Sequence, residues 1–594
     1  MKYIKLFENH SGYSEYLASS EYLRPNVSHC IQENEVHYTV PIDWSKEYFT
    51  IESLENSNTI YLKASNSAVA KAVSVSTDNG ATWAEYVSST GGSGTTLATL
   101  NNGDKLLVKG ENSSYATSTT VYNQFDTTGQ FEVKGNIMSL ISGDSFASAD
   151  ELTEAYTFVY LFRGCTGLTL AVNLVLPATI LASYCYSSMF FGCRSLTAAP
   201  ELPATTLANN CYNYMFQGCT SLTTAPELPA TTLTKNCYDH MFQGCSSLTT
   251  VPELPATTLT KNCYDHMFYN CSSLTTVPEL PATILSNYCY SQMFNGCTSL
   301  TAAPNLPATT LVSNCYSQMF NGCTSLTAAP ELPATTLTNS CYRGMFNGCT
   351  SLTVAPELPA TILANSCYQS MFGGCTSLTA APELPATTLA DSCYASMFRG
   401  CTSLTTAPEL PATTLTSSCY SYMFSGCASL TTAPELPATT LTSNCYQEMF
   451  NGCTSLTTAP ELPATTLAAY CYESMFHYCP NLTTAPELPA TTLANNCYAS
   501  MFGNCTSLTV APELPATTLT NSCYNYMFNG CSNLNYIKAM FTTTPSGSSP
   551  NYYTQNWVKG VASTGTFVKN SAATWNVTGS HGIPTGWAVE TATA

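Results

Sequence analysis

A 26-residue unit recurs almost unchanged from Cys185 to Cys531, and it constrains this chain more than any other feature. A representative copy reads Ala225-Pro-Glu-Leu-Pro-Ala-Thr-Thr-Leu-Thr-Lys-Asn-Cys-Tyr-Asp-His-Met-Phe-Gln-Gly-Cys245. The Cys-Tyr pair returns fourteen times, at Cys185 and then every 26 residues to Cys523. A fixed period of this length is the signature of a solenoid, in which each unit buries its apolar face against the next. The 594 residues therefore need not divide into several globular domains. A unit copied fourteen times also offers an extended surface and no one-copy catalytic centre.

Within one unit the apolar residues Cys237, Tyr238, Met241, Phe242 and Cys245 fall at offsets 0, 1, 4, 5 and 8. These offsets predict a helical stripe about two turns long. Gly244 stands where a helix ends in a left-handed residue. Leu248 to Leu254 predicts a short parallel strand, although Pro252 sits awkwardly in a strand with neighbours on both sides. Fourteen coils at a strand spacing of about 4.8 Å form a rod or arc roughly 70 Å long.

The Phe-x-x-Cys-x-x-Leu transition and the Leu-x-x-x-x-x-Leu stretch resemble leucine-rich repeats of the BspA-like class. Cys237, Tyr238, Met241, Phe242, Cys245 and Leu248 occupy the matching positions. Cys-Tyr replaces the Ile-Gly of that class, Met replaces Ala, and the strand-to-helix loop is about two residues longer. The resemblance covers roughly residues 155–537. It implies a right-handed solenoid with strands on one face and helices on the other, and a surface-exposed recognition or adhesion role. Gly565-Thr-Phe-Val-Lys569 and Gly586-Trp587 resemble the end segments of such proteins encoded by gut bacteria and their phages.

Flanking segments differ from the repeats. Residues 1–42 read as an attachment or lead-in segment. Residues 43–140 carry short alternating runs separated by turn signals, the pattern of an all-β sandwich. Within them, Ser76-Thr-Asp-Asn-Gly-Ala-Thr-Trp83 resembles the Asp-box of sialidase propellers, which is a hairpin device. One copy, in a region without arginine, points to structure and not to glycan hydrolysis. Residues 141–184 hold a degenerate first repeat, with Phe158, Leu161, Phe162, Gly164 and Cys165 at repeat positions. The solenoid spans 185–537. Residues 538–594, with Trp557, Trp575 and Trp587, read as a carboxy-terminal cap.

Thirty cysteines ordinarily suggest a disulfide scaffold. Here fourteen lie in the Cys-Tyr column, fifteen run from Cys165 through Cys193 to Cys531, and Cys30 stands apart. Eight residues of helix separate the two columns by about 12 Å, beyond the roughly 7 Å that a disulfide spans. The columns read as buried free thiols, with disulfides between like cysteines of adjacent coils as the geometric alternative. Their spacing matches no common zinc pattern.

Only 9% of residues are charged and the net charge is −19, which argues against a nucleic-acid footprint. No apolar run is long enough for a transmembrane helix, so no membrane insertion is expected. The amino-terminal stretch lacks the apolar core of a Sec signal peptide.

Candidate contact positions are those that vary between units. Two follow the Cys-Tyr pair and one precedes the second cysteine by two residues. They supply Tyr214, Asp239, His240, Asp265, His266, Gln292, Gln318, Arg343, Gln369, Arg399, Tyr422, Glu448, Glu473 and Tyr526. Such positions read either as unconstrained solvated surface or as a tunable recognition face. His240 and His266 each follow an Asp one repeat apart, a pairing with metal-ligand chemistry. The near identity of residues 233–245 and 259–271 reads it instead as a duplicated unit, and no metal or cofactor is assigned. A fixed acidic column comprises Glu201, Glu227, Glu253, Glu279, Glu331, Glu357, Glu383, Glu409, Glu435, Glu461, Glu487 and Glu513. Stacked like charges repel by roughly 1 kcal/mol per neighbouring pair in water. That repulsion is relieved by splaying into solvent, by cations, or by a basic partner. Identical environments argue against differentiated acid–base catalysts.

The expectation is a non-enzymatic recognition protein on a virion or extracellular surface, such as a phage tail fibre or receptor-binding component. Its partners would be a host-cell surface protein or glycan, with other virion proteins held through the amino-terminal segment. A bacterial surface adhesin and a structural spacer are the alternatives. Oligomeric state is not legible.

Overall fold

Apolar residues that alternate along short runs build two sheets ahead of the repeats. The computed structural model describes residues 30–32, 35–37, 42–65, 68–90, 94–549 and 552–592. Apart from an antiparallel pair, β1 (Cys30–Gln32) and β2 (Glu35–His37), the lead-in segment expected over 1–42 lies outside these residues. So does the side chain of Cys30.

The first sheet of the main body contains β3 (Phe49–Ser53), and the second is centred on β4 (Asn58–Ala64), where buried and half-buried residues alternate strictly. β5 (Ala72–Ser76) and β6 (Ala84–Val87) form a hairpin, followed by β7 (Ser89–Thr90) and β8 (Thr95–Leu100). β9 (Lys105–Lys109), β10 (Asn123–Thr127), β11 (Phe131–Asn136) and β12 (Leu168–Val175) complete the set. Six strands are ordered β12-β11-β3-β9-β5-β6, and β10, β4, β7 and β8 form the second sheet around β4. The six-stranded sheet thus reaches past residue 140. β12 comes from the segment expected to be a degenerate repeat, and it pairs in parallel with β11. It is the first parallel step of the stack that follows.

The repeats depart from the expected helix. Among the described residues, α-helix is confined to α1 (Ser139–Ser142). The stretch Asn236–Gly244 is instead a chain of overlapping turns with a left-handed residue every fourth position: Asn236 (φ 56°), His240 (φ 57°) and Gly244 (φ 73°). Alternate amides face different partners. The N–H groups of Cys237, Asp239, Met241, Gln243 and Cys245 close turns onto the carbonyls three residues back. Those of Asn236, Tyr238, His240, Phe242 and Gly244 donate to Lys261, Cys263, Asp265, Met267 and Tyr269 in the next coil, at 2.7–3.1 Å.

The physical reason is amide satisfaction. A two-turn helix leaves four N–H and four C=O groups without internal partners, and helices this short are marginal on their own. The turn ladder satisfies these amides by linking coil to coil. The expected Leu248–Leu254 strand likewise shrinks to isolated parallel bridges, such as Thr224 with Thr250. Pro252 and Pro255 supply no N–H there, so the ladder cannot extend. Thr249 compensates in part: its N–H and Oγ1 both reach the carbonyl of Thr223, at 3.0 and 3.2 Å.

Like residues stack on like inside the coils. Tyr238 lies on Tyr264 with ring centroids 5.8 Å apart, and Phe242 on Phe268 at 5.6 Å, both nearly parallel. The two ring columns begin at Phe158 and Phe162, which touch the sheet aromatics Tyr115 and Phe125. They end against Trp557, which meets Tyr524 and Phe528. Each stacked pair contributes about 0.5–1.5 kcal/mol beyond the burial of its area. Past the last repeat the parallel stacking continues through β13 (Tyr536–Ala539), β14 (Thr566–Lys569) and β15 (Ala588–Thr591).

All described cysteines are free and buried. The second column has a specific role. Cys245 Sγ donates to the Phe216 carbonyl at 3.1 Å, and the same link recurs from Cys193 to Cys531. Each thiol therefore staples its coil to the one before. Burial pushes these thiols up, to about 12 for Cys245 and Cys297, so the thiolate is suppressed.

Candidate functional site

The turn ladder decides which side chains can reach a partner. Cys, Tyr, Met and Phe lie in the core. Of the three remaining positions per coil, those equivalent to His240 and Gln243 are mostly half-buried or exposed, and the one equivalent to Asp239 is buried in most coils. The middle position lies at positive φ in every repeat, from Ser188 through Glu448 to Tyr526. Gly344 is its one glycine.

These columns form one connected face. Gln217 Nε2 donates to Gln243 Oε1, Gln447 Nε2 to Glu473 Oε2 and Asn451 Nδ2 to Glu448 Oε2, at 2.5–3.0 Å. Tyr214 stacks on His240 at 4.5 Å, and His240 on His266 at 4.3 Å. Burial pushes the Tyr214 hydroxyl up to about 12. It also raises the Glu473 carboxyl, against the opposing bond from Gln447.

Exposure along the face is uneven. Arg343, Arg399 and Tyr526 are exposed, whereas Gln292, Gln318, Gln369, Tyr422, Glu448 and Glu473 are half-buried in the ladder. Asp239 and Asp265 are buried, only 6% and 8% exposed, and serve their histidines more than solvent. They are placed below the recognition surface to which the sequence assigned them.

Sequence reasoning missed a notch. Gly373 stands, like Gly503, in a column that is otherwise mostly polar, and a recess of about 320 Å³ lies beside it. Asn347, Ser370, Gly373, Ser396 and Arg399 line it. The Arg399 guanidinium lies 5.5 Å from the centre of the Tyr422 ring. Arg343 and Arg399 are the only lysine or arginine side chains between Lys261 and Lys538. A glycine interrupting a polar column was the available sequence signal.

The acidic column occupies a different strip. All twelve glutamates are exposed, so their mutual repulsion is screened by water and salt. Glu513 also pairs with Lys538 at 2.9 Å. The strip carries a shallow groove of about 780 Å³ near Val172, Glu201, Pro203 and Glu227.

The Asp-box segment makes the hairpin between β5 and β6. Ser76 Oγ donates to Asp78 Oδ1 at 2.7 Å, and the Thr82 N–H and hydroxyl donate to its two oxygens at 2.9 and 2.6 Å. These bonds hold the Asp78 carboxyl at about 2. Trp83 packs on Tyr48 and under the Lys109 ammonium.

A parallel stack of short coils with leucine, phenylalanine and cysteine columns defines a leucine-rich solenoid presenting a ladder-like face. The family model "BspA type Leucine rich repeat region" matches residues 158–275, 209–353, 261–396, 365–509 and 469–556. The chain belongs to that family. No curated protein matches it. Among solved structures, one titled "Crystal structure of TLR13-ssRNA13 complex" is similar at 15% identity, over 68% of this chain and 50% of that one. Its TM-score of 0.21 is too low to bear on fold or function. The chain spans half the length of that structure.

Proposed function

We propose that the chain is a non-enzymatic recognition protein whose variable columns read a host-cell surface protein or glycan. The observation that carries this reading is the separation of constant from variable chemistry. The core columns repeat coil after coil, while diverse polar and aromatic groups gather on one connected face. That face also holds Arg343 and Arg399, cations otherwise missing from the same length of an acidic chain. The notch beside Arg399 offers a carboxylate or hydroxyl-rich group a guanidinium, an amide and two hydroxyls.

The reading extends to place. The protein acts as a tail-fibre or receptor-binding component of a phage virion, anchored through its amino-terminal segment, and the likeness of its carboxy-terminal segment to such proteins supports this. Peptides of the chain should appear in mass spectra of purified virions, and their absence would reject that placement.

Binding to whole cells and glycan arrays tests the face itself. Replacing Arg343, Gln369, Arg399 and Tyr422 together by Ala should abolish binding with little change in melting temperature. The triple change of Glu331, Glu357 and Glu383 to Gln should leave binding intact. Unaltered binding by the first variant would refute the recognition face.

A further inference from the structure

We propose that Asp239, His240 and His266 form a site for one divalent transition-metal ion of the zinc class. Their ligand atoms all lie within 4.8 Å of one another, and the residues come from consecutive coils. Repetition explains the placement. Identical positions in neighbouring coils stack, so His240 falls directly against His266, with rings 4.3 Å apart. No other repeat places histidine in this column.

The surroundings are those of a ligand set. His240 Nδ1 is bonded to Asp239 Oδ1 at 2.5 Å, and His266 Nδ1 to Asp265 Oδ1 at 2.8 Å. A carboxylate on one ring nitrogen fixes the tautomer and orientation of an imidazole and raises the basicity of the other nitrogen. The second oxygen of Asp239 accepts from Asn213 Nδ2 at 2.9 Å, which holds that carboxylate in turn. Asp265 thus orients His266 and Asn213 orients Asp239, while the ion takes the place of the proton that Asp239 shares with His240 Nδ1, so that Asp239 and the two imidazoles supply the donors. Imidazole and carboxylate together suit zinc, copper or nickel, and three protein donors plus water is a common zinc arrangement.

Charge points the same way. Asp239 and Asp265 are two buried carboxylates one coil apart, and no lysine or arginine pairs with either among the described residues. A divalent cation suits two carboxylates held beneath the surface without a lysine or arginine partner. The histidine side chains remain 17% and 20% exposed, so an ion has access. Donors on one zinc stand about 3–3.5 Å apart at bonds of about 2.0–2.1 Å. Closure therefore requires the two imidazoles to tilt out of their parallel stack.

Calorimetric titration of the reduced, metal-stripped full-length protein with zinc tests this. One ion per chain should bind, and H266Q should weaken binding at least about tenfold. The double variant H240Q/H266Q should abolish it. Glutamine is already native to this column at Gln292 and Gln318, so both variants should keep the parent melting temperature. Absence of binding by the parent, or equal binding by the double variant, would overturn the site. The cobalt-loaded spectrum separates the cysteines. A nitrogen and oxygen set gives visible d–d bands alone, whereas a thiolate-to-cobalt charge-transfer band would place the ion on sulfur and refute the assignment.

Discussion

The two-sheet region and the coils bury the same kinds of side chain but fix their register differently. Between β3 and β11 most facing pairs join unlike residues, such as Phe131 with Ser53 and Lys134 with Thr50, so register rests on devices used once. The Asp78 hairpin is one, and Gly135 is another. Gly135 sits at φ +76°, and a Cβ there would lie 2.1 Å from the Tyr48 carbonyl oxygen. In the coils the core rings stack each on its own counterpart 26 positions on. The equivalent of Gly135 is Gly348, at φ +74°, where a Cβ would meet only the backbone of Gly322, at 3.6 Å. Asn270 and Asn504 already occupy this column at φ 58° and 61°. Tolerance in the ladder is therefore written in its own columns.

The largest expected effect breaks that comparison at its sharpest point. Gly135→Ala should destabilise the sheets by about 3 kcal/mol or more, combining left-handed strain with overlap onto a carbonyl. Gly348→Asn should cost about 1 kcal/mol or less. Denaturant unfolding of both variants measures the difference, and equal losses would show that the coils rely on single-use devices too.

Much of this was legible, and the failures share a cause. The period, the core columns and the buried thiols follow directly from identity at 26-residue spacing. The Asp78 turn followed from residue types with one geometry. The helix did not hold because offsets 0, 1, 4, 5 and 8 fit a period of four as well as 3.6. The discriminating residues were Asn236 and Gly244, eight apart, with His240 midway between them. Asn and Gly both favour the left-handed region, and read together they mark a turn chain in which Gly244 is a rung and not a helix end. β12 has no counterpart in the repeat: the interval from Cys165 to Cys193 is 28 residues, two beyond the period. It accommodates an eight-residue strand. The notch at Gly373 and the bond from Asn213 to Asp239 depend on contacts between coils, which one unit read alone does not contain.

A smaller effect sharpens the contrast between the regions through tyrosine. Tyr115, between the sheets, accepts from Asn112 Nδ2 at 3.3 Å and donates to the Leu140 carbonyl at 3.5 Å. Tyr238, in the coils, has a buried hydroxyl without a partner. Tyr115→Phe should therefore cost about 1 kcal/mol, while Tyr238→Phe should be neutral or stabilising by up to about 1 kcal/mol. A loss at Tyr238 equal to that at Tyr115 would mean that the ladder hydroxyl is bonded in solution.

The central claim is that each repeat is a ladder of turns with a left-handed residue at its middle surface position. Ser370, Ser396, Ser474 and Ser500 hold that position at φ 53–56° or 57°. In a helix, replacing these serines by glycine would cost about 0.5 kcal/mol each, about 2 kcal/mol in all. In the turn ladder glycine relieves a left-handed penalty of about 1–2 kcal/mol per residue, which meets or exceeds its entropic cost. The melting temperature of S370G/S396G/S474G/S500G distinguishes the two. The ladder predicts a value equal to or above that of the parent protein, and a marked fall would contradict it.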